Sequence, residues 1–326
     1  MNMSSTAHRS YIFLQNQKEK EHNLELIQTS KEVFTLEKQI PNFNLRKELE
    51  LMKTLLKDRT TRKNILWATE SYAQLGDDYH ANLPIKVQLI TNGASHFIKP
   101  RVHKALGEQK NRTKGRAEVF TPTWVVKMQN DLVEEEFKYL PLEEYVDKTW
   151  LEITCGEAPY MCNRYDTVTG EPISLHERVG FVDRKMQRIS IEVIDHETWL
   201  DLAYRAYKAS FGYEYQGDSL ILARENLLLT FVDYYADKFN NLPSIDILQE
   251  IARIISYNVI QMDGLKYTIP FTELEKKDED DGQFLLFDDP NIEVVELEEE
   301  EINTEIKAKM RNWKTNRMML FEDLTK

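Results

Sequence analysis

The sequence contains few cysteines and no long apolar run. Only Cys155 and Cys162 are cysteines among 326 residues, so disulfides cannot be the framework of the fold and a four-cysteine zinc site is excluded. The seven histidines are scattered and no His-Glu-x-x-His occurs, so we predict no metal site. No run of 18 apolar residues occurs, and the first residues lack the apolar core of a signal peptide. We therefore expect a cytoplasmic protein without a membrane span.

Acidic residues outnumber basic ones, but the excess is confined to one segment. The formal net charge is −13, and residues 271–305 hold 15 acidic residues and two lysines. The rest of the chain therefore carries 40 acidic and 40 basic residues. Within it, one block at 99–116 has a single acid and seven cations, namely Lys99, Arg101, Lys104, Lys110, Arg112, Lys114 and Arg116. Such a block suits contacts with the phosphates of double-stranded DNA, and a solvated helix and loop is the alternative interpretation.

The N-terminal part of the chain is predicted to be mainly helical. Leucine and isoleucine recur at three- and four-residue spacing in 24–40 and 44–58, a pattern typical of amphipathic helices. IKVQLIT, residues 85–91, is the clearest candidate strand in this region. The pattern divides the chain into a helical region at 1–116, an α/β domain at 117–270, and an acidic segment with a C-terminal tail at 271–326.

From residue 117 onward, predicted strands alternate with predicted helices. The strands are 149–154, 212–215 and 258–265. A first helix is predicted after a cap at Thr121, and the others are 158–165, 197–211, 218–239 and 245–257. This alternation predicts parallel strands joined by crossover helices, and therefore an α/β doubly wound sheet.

Residues suited to ligand binding lie at the carboxyl ends of all three predicted strands. Gly156 follows the first, Glu214 ends the second, and Asp263 ends the third. Ligands of open parallel sheets bind beyond the carboxyl ends of strands, where glycine lets the backbone approach and helix N-termini offer N–H groups. The single glycine disfavours NAD, whose fingerprint needs three. Taken alone, each residue also has an ordinary explanation. Gly156 fits a plain connection between a strand and a helix, Glu214 an exposed loop glutamate, and Asp263 a simple Asp-Gly turn. Three in succession favour one nucleotide-like ligand.

Four segments in this order resemble a known enzyme family. AEVFTPTWVV, WLEITCGEAPYM, GYEYQGDSLILARENLL and VIQMDGL are similar to the N6-adenine DNA methyltransferases of restriction–modification systems, in the subgroup whose cofactor motifs precede the catalytic motif. The resemblance covers 117–270 and implies a Rossmann-like methyltransferase domain that binds S-adenosylmethionine. It implies cofactor contacts for Phe120, Thr121, Pro122, Glu152, Cys155, Gly156, Glu157, Ala158, Glu214 and Asp263.

The resemblance also implies a role for each group of residues. Residues 120–122 would hold the methionine end of the cofactor, and Glu152 with 155–158 would form the turn around its methionine part. Glu214 would bind the ribose, and Asp263 the adenine amino group. The sequence departs from the family pattern in the first turn, with Ile153 where proline is usual and Ala158 in place of a common glycine.

The catalytic motif of the family is missing from the sequence. In the family, an Asn or Asp followed by two prolines and an aromatic positions the N6 amino group of an adenine flipped from DNA. No Pro-Pro pair occurs in the 326 residues, so we predict no catalytic residue here. The resemblance therefore implies the cofactor-binding half of a DNA methyltransferase, inactive alone. A second methyltransferase chain or further sequence would supply catalysis and target recognition, and a restriction subunit is a further expected partner.

Two other functions remain open from the sequence. The chain could be a catalytically inactive, DNA-binding or regulatory subunit that kept the methyltransferase fold. A nuclease is the third hypothesis, because Asp183, Lys185 and Glu192 faintly resemble a metal-nuclease set. Their spacing differs from the usual one, so a surface strand or turn is the favoured interpretation of these three residues.

Overall fold

The computed structural model describes residues 43–91, 97–104, 121–272 and 305–324. The chain forms two compact units, Met1–Phe43 with Tyr235–Leu242, and Asn44–Tyr234 with Pro243–Lys326. In the first unit the described residues are Phe43 and the segment Tyr235–Leu242, and the helix predicted at 24–40 lies outside the described residues. The second unit contains the sheets and the candidate site.

Eight α-helices and five strands are found in the described residues. The helices are α1 (Leu49–Leu56), α2 (Val87–Thr91), α3 (Thr123–Glu134), α4 (Leu142–Val146), α5 (Phe181–Glu192), α6 (His196–Lys208), α7 (Gly217–Phe239) and α8 (Ile245–Asn258). The strands are β1 (Trp150–Glu152), β2 (Ser210–Glu214), β3 (Val259–Gln261), β4 (Lys309–Asn312) and β5 (Arg317–Leu320). Short 3₁₀ helices are Leu45–Lys47, Glu70–Leu75, Asp77–Tyr79, Arg101–His103, Leu175–Glu177 and Phe321–Leu324.

The main sheet is parallel and has the strand order β1-β2-β3. Trp150 pairs with Ser210, and Gly212 pairs with Val259, so all three strands run side by side. Helices connect each strand to the next, which confirms the mixed α/β class. The described strands keep their chain order across the sheet, so no reversal of strand order lies among them, and the doubly wound arrangement stays a prediction. Strands β4 and β5 form a separate antiparallel hairpin.

The alternation of side chains along β2 places different groups on its two faces. Tyr213 belongs to an apolar cluster with Met310 of β4 and Phe321, and the rings of Tyr213 and Phe321 are 5.4 Å apart. On the other face, a Cβ added to Gly212 would lie 2.9 Å from the methyl carbon of Met161. Glycine at this position therefore lets the loop that follows β1 pack directly against the middle strand.

Long amphipathic helices were predicted correctly, and three shorter segments were not. Helices α6, α7 and α8 and the three parallel strands confirm the predictions within a few residues. The predicted strand at 85–91 is wrong, because α2 occupies 87–91. The predicted helix at 158–165 is also wrong, since the backbone there forms turns. Residues 183–192, interpreted as a surface strand or turn, lie in α5.

Candidate functional site

A cavity of about 840 Å³ lies at the carboxyl ends of β1 and β2. Its volume is within the range of small-molecule and cofactor sites. Its lining comprises residues 68–70, 152–157, 159–160 and 214–216, together with Ala81, Thr121, Thr167, Ser219 and Phe271. Glu152 and Glu214, the last residues of β1 and β2, both line it. The described parallel sheet therefore opens at its carboxyl edge onto one cavity.

The loop after β1 follows an unusual backbone path. Thr154, Gly156 and Ala158 have φ angles of 46°, 54° and 64°, so three alternate residues adopt the left-handed conformation. Non-glycine residues adopt it at a cost of about 1–2 kcal/mol each. A Cβ added to Gly156 would meet no atom within 4 Å, so glycine is favoured there by the backbone angle rather than by crowding. Strained backbone of this kind is concentrated at functional sites.

Two buried carboxyl groups hold this path in place. The Glu152 carboxylate accepts hydrogen bonds from the backbone N–H groups of Tyr160 (3.2 Å) and Met161 (2.9 Å). Both N–H groups therefore bond to a side chain rather than to a backbone carbonyl. One oxygen of Glu214, Oε2, accepts from the N–H of Gly156 at 2.8 Å. The end of β2 therefore fixes the turn that follows β1.

The other oxygen of Glu214 fixes the start of the next segment. Its Oε1 accepts from the N–H groups of Tyr215 and Gln216, both at 3.0 Å. An ionised carboxylate offers about four lone-pair positions, and three are therefore occupied by backbone donors. About one position remains for a group in the cavity.

Burial controls the ionisation of the acidic and thiol groups at this site. It raises the pKa of Glu152 to about 8, and the neighbouring Glu214 adds to the effect. Burial also raises the pKa of Glu214, against the opposing effect of its three N–H donors. The pKa of Cys155 is raised well above its ordinary value by burial, and by Glu152 and Glu214. Cys155 therefore keeps its proton at neutral pH and is a poor nucleophile.

The charge of the cavity is its most selective property. Four of its described lining residues are glutamates, namely Glu70, Glu152, Glu157 and Glu214. None of its described lining residues is lysine, arginine or histidine. Phosphate groups are normally held by basic side chains or by unpaired backbone N–H groups. The lining therefore favours a cationic or neutral ligand rich in hydroxyl and amino groups over a nucleotide polyphosphate.

Hydrogen bonds join residues that line the cavity to one another and to α7. Tyr165 donates a hydrogen bond to the Glu157 carboxylate, and the Asn226 side chain donates to the Glu157 carbonyl at 3.0 Å. Thr167 Oγ1 donates to the Thr121 carbonyl at 2.7 Å. These bonds hold Glu157, Thr167 and Thr121 in place at the edge of the cavity.

The six predicted cofactor residues that the structure brings together are Thr121, Glu152, Cys155, Gly156, Glu157 and Glu214. Ala158 is fully buried, belongs to the left-handed turn and lies outside the cavity lining. Pro122 lies at the N-cap of α3. The capping hydrogen bonds predicted for Thr121 are instead made by Asp166. Its carboxylate accepts from the N–H (3.2 Å) and the hydroxyl (2.7 Å) of Thr123. Phe120 lies outside the described residues.

Asp263, predicted to bind the adenine amino group, stabilises a backbone turn in the structure. Its Oδ1 accepts hydrogen bonds from the N–H groups of Leu265 (2.8 Å) and Lys266 (3.1 Å), and it is outside the cavity lining. The Asp-Gly turn, which the sequence left open as an alternative, is therefore what this residue forms. Tyr215 and Phe271 also line the cavity. Tyr215 lies in the segment GYEYQGDSLILARENLL, where only Glu214 was predicted to bind a ligand, and Phe271 lies in none of the four segments.

Three residues of the basic block fall within the described residues. Lys99 is half-buried, and Arg101 begins a 3₁₀ helix. Lys104 is buried and its Nζ lies 3.1 Å from an Asp218 carboxylate oxygen, so its charge is neutralised inside the protein. This corrects its prediction as a phosphate contact. The other members, Lys110, Arg112, Lys114 and Arg116, lie outside the described residues.

The structure does not assemble the nuclease set. Asp183 is fully buried and accepts from the N–H of Asn163 at 3.1 Å. Lys185 is also fully buried, donates to the Lys148 carbonyl at 2.6 Å, and has a pKa lowered to about 7 by burial. Glu192 pairs with Arg188. In the described part of the chain, no three potential ligands among His, Cys, Asp and Glu are grouped to hold a metal ion.

Comparison of the chain with protein-family models, with curated proteins and with solved structures gave no match. Within the described residues, none of the helices has the length and apolarity needed to cross a membrane. The function is therefore inferred from the residues of the cavity and from their geometry.

Proposed function

We propose that the cavity binds S-adenosylmethionine and that the chain is the cofactor-binding part of an adenine-specific DNA methyltransferase of a restriction–modification system. The single observation that carries the proposal is the acidic lining at the carboxyl ends of β1 and β2. S-adenosylmethionine has a sulfonium cation, an ammonium group and a ribose diol, and it lacks phosphate. Four glutamates in a described lining that contains no lysine, arginine or histidine suit these groups.

The strand order supports a Rossmann-like sheet. One half of a doubly wound sheet with the order 3-2-1-4-5-6 consists of three strands in chain order, and the described sheet is β1-β2-β3. Such sheets bind their ligand beyond the carboxyl ends of the strands. The position of the cavity agrees with this rule.

Each lining residue has a defined task in the proposal. The remaining lone-pair position of Glu214 accepts one ribose hydroxyl, rather than both as the resemblance implied. Glu152 provides negative charge beside the sulfonium, and the 154–158 turn surrounds the methionine part. Bound cofactor supplies an electrophilic methyl group. Residues that hold the target adenine are provided from outside this sequence, which contains no Pro-Pro pair.

Calorimetry with S-adenosylmethionine tests the proposal through pH. A bound cation favours ionised Glu152, whose pKa is about 8 in the free protein, so binding releases a proton. Because protonated Glu152 prevails below pH 8, affinity should rise as the pH increases from 6.0 to 7.5, by about tenfold. Titrations in two buffers of different ionisation enthalpy count the released protons.

The matched control ligand is ADP, which shares the adenosine but carries negative charge. We expect no binding of ADP at 1 mM, a concentration at which a millimolar site would be half filled. Binding of ADP as tight as that of S-adenosylmethionine would contradict the proposal, as would a cofactor affinity that falls between pH 6.0 and 7.5.

A further inference from the structure

A second cluster of charged residues lies outside the cavity lining. We name it the basic–aromatic patch, and it consists of Arg59, Lys208, Arg253, Tyr257, Arg311 and Trp313. Its members come from the loop after α1, the C-terminal ends of α6 and α8, and the β4–β5 hairpin. None of the six belongs to the cavity lining or to the basic block predicted from the sequence.

The two aromatic rings form the base of the patch. Tyr257 and Trp313 meet edge to face with ring centres 5.9 Å apart. Arg59 and Arg311 lie 4.6 and 4.7 Å from the centre of the Tyr257 ring. The Trp313 ring has three cations over it, Arg311 at 4.8 Å, Lys208 at 5.4 Å and Arg253 at 5.5 Å. Cation–π attraction therefore holds several positive groups together in one place.

Hydrogen bonds make the support of the patch rigid. Trp313 Nε1 donates to Asn258 Oδ1 at 2.8 Å. The buried Asn258 amide donates in turn to the carbonyl groups of Tyr207, Lys208 and Ser210. The hairpin is thereby tied to α6, to β2 and to the end of α8. A phosphate group would meet cations that are already ordered, which lowers the entropic cost of binding.

Most of the positive charge of the patch is uncompensated. Arg253 pairs with Glu250 at 2.6 Å. Among the described residues, no carboxylate forms an ion pair with Arg59, Lys208 or Arg311. The pKa of Arg59 is lowered by burial and by the positive charges of Arg253 and Arg311, although Tyr257 and Asp58 oppose the effect. Like charges held this close are relieved by an anion.

The same hairpin carries further exposed cations. Lys309 and Lys314 are exposed and flank Arg311 and Trp313 in the sequence, and Lys309 lies two residues before Arg311 on the same face of β4. They extend the positive surface beyond the aromatic base. A row of cations suits a polyanion with regularly spaced charges better than a single small anion.

We propose that the basic–aromatic patch binds the phosphate backbone of duplex DNA. Guanidinium groups form paired hydrogen bonds with phosphate oxygens, and the cations over the rings leave the ring faces covered rather than open to stack on bases. The geometry therefore favours backbone contacts without sequence selection. The choice of DNA among polyanions rests on the proposed function, whereas the position of the contact surface rests on the patch alone.

Binding of a 30-base-pair duplex at several salt concentrations, in the absence of cofactor, tests the inference. Fluorescence anisotropy would compare the wild-type chain with the triple variant Arg59→Gln, Lys208→Gln, Arg311→Gln. Each phosphate contact contributes about 0.9 to the slope of log K against log salt, so the slope should fall by about 2–3. The dissociation constant at low salt should rise at least about tenfold.

The control variant removes three positive charges elsewhere, through Lys86→Gln, Lys127→Gln and Lys138→Gln. These lysines pair with acids on the surface, so their loss should change stability little. We expect the control to keep nearly the wild-type slope. Equal losses in both variants, or a wild-type slope in the patch variant, would overturn the inference.

Two additions keep the test decisive. If the triple variant fails to fold by circular dichroism, the pair Lys309→Gln and Lys314→Gln, on β4 and the exposed turn, replaces it, and an unchanged slope for that pair overturns the inference. A polyglutamate peptide provides the protein-like polyanion. If the patch variant loses affinity for this peptide but not for DNA, the patch serves an acidic protein and the inference is wrong. Since cofactor is absent, these outcomes are independent of the S-adenosylmethionine proposal.

Discussion

Glu214→Ala is expected to weaken S-adenosylmethionine binding by about 100-fold. The carboxylate holds the Gly156 turn through one oxygen and the start of the next segment through the other. Its loss removes a charged acceptor facing the ligand and leaves three N–H groups without their partner, and a hydrogen bond to a charged group contributes about 1.5–3 kcal/mol. Isothermal calorimetry at pH 7.5 measures the effect.

Two further variants show how much of that loss comes from the missing acceptor at the cavity and how much from the missing charge alone. Glu214→Gln keeps one acceptor oxygen in a side chain of similar shape, so it should lose less, about tenfold. Glu197→Ala, an exposed glutamate in the first turn of α6, removes the same charge away from the cavity and should bind as the wild type does. Wild-type affinity in Glu214→Ala would remove this residue from the site.

Gly217→Ala is expected to lower the free energy of unfolding by about 3 kcal/mol, the upper end for overpacked sites. An added Cβ would lie 1.9 Å from the Leu66 carbonyl oxygen and 2.9 Å from Ile85 Cδ1. The oxygen belongs to the backbone, so relief requires movement of the chain itself. Leu66 lies two residues before Ala68, the first of the residues 68–70 that line the cavity. Thermal unfolding should show a midpoint lowered by roughly 5–10 °C.

Gly156→Ala is the matched control for crowding. Its added Cβ would meet open space, so only the left-handed backbone angle is penalised, at about 1 kcal/mol. The two substitutions add the same methyl group and differ in what surrounds it. Equal stability of Gly217→Ala and the wild type would show that the 65–67 segment does not pack against the start of α7.

Gln261 explains why the N-terminal segment could not be placed from the sequence. Its side chain accepts from the Leu66 N–H at 2.7 Å and donates to the Leu66 and Tyr215 carbonyls. A buried glutamine thus joins residues 195 positions apart. No local pattern encodes such a pairing, so the contribution of 68–70 to the cavity was missed. The close approach permitted by Gly217 was missed for the same reason.

Side-chain capture of backbone N–H groups accounts for the wrong helix after β1. The apolar residues Ala158, Met161 and Cys162 fit a helical spacing. Glu152, however, takes the N–H groups of Tyr160 and Met161, and this competes with helix formation. The acid at the strand end could have been suspected, but its partners could not.

Buried polar residues obscured α5. Asp183 and Lys185 lie on its inward side among Val182, Met186 and Ile189, so the helical apolar pattern is interrupted. Helices with regular apolar faces, such as α8, were predicted within one residue. The sequence was therefore most informative where burial follows hydrophobicity, and least informative where polar groups are buried with specific partners.

Photocrosslinking of labelled S-adenosylmethionine, followed by peptide mapping, tests the central claim most directly. The site at the ends of β1 and β2 predicts label in peptides that contain 152–160 and 214–219, lost on addition of unlabelled cofactor. Label confined to other peptides, while the wild-type chain still binds the cofactor, would contradict the account.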